Sequence, residues 1–98
     1  MNQPAYFVIN VKIHDPEAIK PYQAKVAETY KPFGGERIVA GGLPQTIEGE
    51  PPLGRIVILR FPSMELAHAW HDSPVYQAIL GYRLAAAESH AYFVEGIA

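Results

Sequence analysis

Residues 55–83, RIVILRFPSMELAHAWHDSPVYQAILGYR, leave a folding chain little choice. From Arg55 to Phe61 the residues are almost all β-branched, leucine or aromatic, which suits a strand near the middle of a sheet. Pro62 stops that strand, because proline has no N–H to give to a ladder. Ser63 then supplies an N-cap for a helix over MELAHAW, with Glu65 in the first turn where the helix dipole favours negative charge. Ser73-Pro74 repeats the device, a capping hydroxyl followed by a residue whose fixed φ suits the first helical position. The second helix is predicted over VYQAILGYRLAAAES.

The flanking sequence supplies the rest of a two-layer domain. Tyr6 to Ile13 (YFVINVKI) reads as a strand with apolar residues at Phe7, Ile9, Val11 and Ile13 and a mixed opposite face. Asp15-Pro16-Glu17 opens a helix, with a first turn expected at 16–20 and the main body from Pro21 to Lys31. Pro21 is hard to place inside a helix because it removes a donor and clashes one turn back. Ile19, Tyr22, Val26, Tyr30 and Phe33 form its apolar stripe, and Pro32 with Gly34-Gly35 ends it. A strand is expected at Glu36–Ala40, a short return strand at Thr46-Ile47-Glu48, and a last strand at Ala91–Ile97.

The order β-α-β-(β)-β-α-α-β predicts an α+β class domain: a ferredoxin-like βαββαβ chain, with one antiparallel sheet and helices on one side. Val8, Ile56 and Ile58 then fall on the uncovered face, too apolar to stay wet. A second sheet is the natural cover. The expectation is a homodimer, a dimeric α+β barrel with a small-molecule cavity. A hydrophobic share of 49% and a charged share of only 18% agree with a buried interface, since ~25% charged is usual.

At 98 residues the chain is one domain throughout, 1–98. Net charge is −2 with no basic run, so no nucleic-acid partner is expected. No window approaches a membrane span and no signal peptide is evident, so a cytoplasmic location is expected. The absence of cysteine removes disulfides and thiol nucleophiles.

The DPE after the first strand, YKPFGGERIVAGG, the E-G-E segment, FPS, A-W, SPVYQ, Arg83 and the closing VEG together resemble the DUF1330 family. This family consists of small dimeric α+β barrel proteins, and the resemblance spans essentially the whole chain. It implies a fold and a dimer but no reaction. Arg60 departs from the family pattern, standing in LRFPS where an acidic residue is expected.

Several residues are candidates for chemistry. Tyr76 and Arg83 are seven apart, two helical turns, and so share a face. They either hold a carboxylate, with Arg83 bidentate, or tie the helix to the Gly41-Gly42 loop or Glu95. Asn10, Arg37 and Arg60 are polar groups in apolar strands and must meet a partner or water. They are candidate ligand-binding residues, although Arg37 also suits an edge strand. His71, beside Trp70 at a helix end, and Glu95 are candidate general bases. His68 and His71 stand three apart, but no metal site is expected. No cofactor is expected either: His14, His71 or His90 could meet a haem, yet no local motif supports one.

The expected activity is acid–base chemistry on a small anionic or aromatic metabolite held between sheet and helices. Isomerisation, lactone opening or cofactor-free oxygenation would fit. The alternative is a non-catalytic ligand-binding or stress-related dimer.

Overall fold

A computed structural model of the chain describes residues 3–97. Strand β1 (Ala5–Ile13) leads to helix α1 (Lys20–Tyr30), a 3-10 turn at Lys31–Phe33 and strand β2 (Glu36–Gly42). Strand β3 (Arg55–Phe61), helices α2 (Met64–Asp72) and α3 (Pro74–Ala86), and strand β4 (Ala87–Glu95) follow. The strands form one sheet in the order β2-β3-β1-β4, and every neighbouring pair is antiparallel. Each βαβ unit thus leaves room for one strand of the other, the split arrangement of a ferredoxin-like domain.

Register decides which side chains meet the helices. Phe7 pairs with Leu59 and Phe93, and Ile9 with Val57 and Ala91. These residues share one face, where Phe7, Ile9 and Leu59 are buried. The alternate residues, Val8 with Ile58 and Tyr92, point to the other side. The core closes around Trp70, Tyr76 and Phe61. Trp70 meets Phe7 edge-on at 5.1 Å and donates its indole N–H to the Thr29 hydroxyl at 3.0 Å. That hydroxyl donates in turn to the Val26 carbonyl, so both buried polar groups are satisfied.

The helix starts follow from their caps. Ser63 Oγ accepts the Leu66 N–H and Ser73 Oγ accepts the Tyr76 N–H. Asp15 Oδ1 accepts the Ala18 N–H in a turn ahead of α1, which leaves Pro21 in the helix's first turn, where its missing N–H costs nothing. Gly34, at φ 78°, provides the left-handed residue that ends the following turn.

Three expectations are corrected. No strand forms at Thr46–Glu48: residues 43–54 are irregular, and Pro44, Pro51 and Pro52 cannot donate to a ladder. The last helix ends at Ala86, not Ser89. The last strand starts at Ala87 and ends at Glu95, so His90 lies inside it and not ahead of it. Alanine favours helix, but pairing of 87–90 with Asn10–Ile13 overrides that weak local preference.

Candidate functional site: a cleft beneath the first helix

Helix α1 packs on α3 and stands off the strands below it, whereas α2 lies directly on β1, β3 and β4. A cleft of about 360 Å³ opens between α1 and the sheet. Its floor is Phe7, Ile9, Val11 and Ile13 of β1 with Val57 and Leu59 of β3. Tyr22, Gln23, Val26 and Tyr30 of α1, with Ile19 just ahead of it, form the roof, and Ala40 and Gly41 of β2 one wall. Arg37, Arg55 and Arg83 complete the lining, which contains no aspartate, glutamate or histidine among the described residues. The volume is near the lower end of the roughly 300–1,000 Å³ typical of small-molecule sites.

The three arginines are held differently. Arg83 is 5% exposed. It donates through Nη1 to Ser89 Oγ and through Nη2 to Tyr76 Oη at 3.4 Å, and its Cζ lies over the Tyr22 ring, 5.5 Å from the ring centre. Its Nε–H is buried without a partner among the described residues. Burial works against its charge, but Tyr76 and Tyr22 outweigh it and hold the guanidinium above its ordinary pKa. Arg55 donates to the Gly41 carbonyl at 3.0 Å, and Arg37 makes no side-chain hydrogen bond or ion pair among the described residues. The hydroxyls of Tyr22 and Tyr76 lie 3.0 Å apart, and burial above all pushes Tyr22 well above the usual phenol range.

Of the sequence candidates, Arg37 and Arg83 line the cleft, and Asn10, Arg60, His71, Tyr76 and Glu95 do not. Tyr76 and Arg83 do share a helix face, but they tie α3 to α1 and β4 and make no side-chain bond to Gly41-Gly42 or Glu95. Asn10 Oδ1 accepts the Leu53 N–H on the sheet face away from the cleft. Arg60, on that same face, pairs with Glu36 at 3.4 Å, an exposed contact of little energetic weight. His71 lies at the end of α2 against Trp70 and Tyr76, with Nδ1 3.7 Å from the Asp72 carboxylate, and does not line the cleft. Glu95 ends β4 opposite Ala5, exposed and also outside the cleft. Arg37 lies on an edge strand as well as in the cleft. His68 packs against Phe93 with the rings tilted and their centres 4.7 Å apart. No group of three or more histidines or carboxylates placed to hold a metal occurs among the described residues.

Arg55 is the cleft residue missing from the sequence candidates, although a signal for it existed: it opens β3, and alternation with Ile56 and Ile58 places it with Val57 and Leu59 on the helix-covered face.

A family model described as "Domain of unknown function (DUF1330)" matches residues 4–97. Among solved structures, a protein of unknown function from Rhodopseudomonas palustris is 18% identical with a TM-score of 0.79, covering 100% of this chain and 85% of its own. SnoaB, a cofactor-independent oxygenase from Streptomyces nogalater, is 13% identical with a TM-score of 0.65, covering 94% and 91%. A dimeric ferredoxin-like protein of unknown function from Thermobifida fusca is 13% identical with a TM-score of 0.66, covering 97% and 92%. A comparison with curated proteins found no match. At such identities the likeness concerns the fold alone.

Proposed function

The chain belongs to the DUF1330 family, and from the character of its cleft we propose that it works as a homodimer binding one small metabolite per protomer. The observation that carries this reading is an apolar recess with three arginines and no carboxylate in its lining. A concave apolar site with a few converging polar groups is the usual form of a small-ligand site. In a chain of net charge −2, a lining whose charged groups are all cationic also selects anionic ligands.

The dimer accounts for the uncovered sheet face. Val8, Ile56 and Ile58 lie at its centre, with Tyr92 55% and Val94 51% exposed beside them. A second copy packed sheet to sheet would bury all five. The Thermobifida fusca relative is described as a dimer, which agrees with this arrangement.

The lining has no histidine or carboxylate, which favours binding over proton abstraction by the protein. For His71 or Glu95 to act as a base, the ligand must reach beyond the cleft. A second reading is cofactor-free oxygenation, favoured by the fold shared with SnoaB. There the substrate's own phenolate or enolate would supply the electrons to dioxygen, and cationic walls would stabilise its charge.

Ala40→Trp tests the site, because Ala40 is an exposed cleft residue whose enlargement fills the recess without entering the core. In a thermal-shift screen of small metabolites, compounds that stabilise the wild type should not stabilise this variant. Equal stabilisation of both would place binding elsewhere.

A further inference from the structure

The polar groups of the cleft are not spread evenly along it. Ser89 and Arg55 both pair with Val11, one from each side, so the three residues form a row across the sheet. Two strand spacings, about 10 Å, separate the ends of that row. Arg83 is bonded to Ser89 at one end, and Arg55 is anchored to Gly41 at the other. Two guanidinium groups therefore flank Val11 at one end of the cleft. Four residues along β3, about 13 Å away at 3.3 Å per residue, Leu59 pairs with Phe7, and the walls there are apolar apart from exposed Arg37.

Resting on the small-ligand reading above, we propose that the ligand is a monocarboxylate with an apolar, unbranched or aryl body. Its carboxylate lies between Arg55 and Arg83, and its body runs along β1 and β3 towards Phe7. A guanidinium has five N–H donors in a fork that matches a carboxylate. Arg55 spends one on Gly41 among the described residues, and Arg83 has a buried Nε–H with none. A buried cationic donor left without an acceptor is costly, and a carboxylate oxygen that reaches it after a small shift of the Arg83 side chain removes that cost. The cleft's modest volume, with two of its three guanidinium groups at one end, fits one carboxylate better than a phosphate dianion, which loses a larger hydration shell on entry.

Calorimetric titration of the intact protein tests this with three probes of one body: 3-phenylpropanoate, 3-phenylpropan-1-ol and 3-phenylpropyl phosphate. The wild type should bind the carboxylate at least tenfold more tightly than the alcohol, and more tightly than the phosphate. Arg55→Gln removes the cation but keeps a polar side chain, and should abolish most of that discrimination while leaving alcohol binding unchanged. Equal binding of acid and alcohol, preference for the phosphate, or full discrimination by Arg55→Gln overturns the carboxylate assignment and leaves the cleft as a small-ligand site. Binding of none of the three overturns both.

Discussion

Removing the Tyr76 hydroxyl tests the network that holds Arg83 at the cleft. Tyr76 is fully buried, its hydroxyl 3.0 Å from that of Tyr22 and an acceptor for Arg83 Nη2. In Tyr76→Phe the ring packing on Trp70 stays, but Tyr22 and a buried guanidinium each lose a partner. Stranding a buried polar group costs about 1–3 kcal/mol. The Arg83 bond is long, so about 2 kcal/mol is expected for the pair. For a domain of this size each kcal/mol moves the melting midpoint by roughly 4–8 °C, so the fall should be near 10 °C at fixed protein concentration. The assay is thermal and urea unfolding of wild type, Tyr76→Phe, Tyr22→Phe and the double variant. Because both substitutions break one shared bond, the double loss should be at least ~0.5 kcal/mol smaller than the sum. Strict additivity, or a loss under ~0.5 kcal/mol for Tyr76→Phe, refutes the network.

Three further outcomes are expected. Raising the pH should erode stability through Tyr22. The folded state keeps the phenolic proton above the ordinary value of 10.0, so the contribution is whole below about pH 10 and falls beyond it by at most ~1.4 kcal/mol per unit. Alkaline unfolding of Tyr22→Phe should be correspondingly shallower, and parallel curves would contradict the assignment. Gly54→Ala should destabilise by about 1–3 kcal/mol in urea unfolding, because the new Cβ meets the Val11 carbonyl oxygen and lies 3.2 Å from Lys12 Cα, backbone atoms that cannot turn aside. Ile58→Glu, which places an unpaired charge at the centre of the open sheet face, should convert dimer to monomer in sedimentation experiments while preserving the circular dichroism spectrum.

Much of the fold was legible because local and global signals agreed. Ser63 and Ser73 announced two helices by their capping hydroxyls, and both hydroxyls accept backbone N–H groups as expected. The apolar run of Arg55–Phe61 announced an inner strand, and β3 lies between β2 and β1. Where signals conflicted, tertiary pairing prevailed: LAAAESH favours helix, yet its last four residues pair with β1. The site was less legible. Alternation along β1 already separates Asn10 from Phe7 and Ile9, so a cleft beneath the helices excludes Asn10 from its floor. Arg60 leaves the cleft by the same alternation along β3, since it neighbours Leu59. Arg55 falls on the cleft face by that alternation too, but nothing local shows that a cleft is there, because the space beneath α1 depends on how that helix leans on α3.

Native mass spectrometry of the protein isolated from its own host tests the account most directly. The account predicts twice the chain mass plus a small organic acid on each protomer, with the adduct gone from Ala40→Trp. A monomer, a bare dimer, or an adduct that survives Ala40→Trp would contradict it.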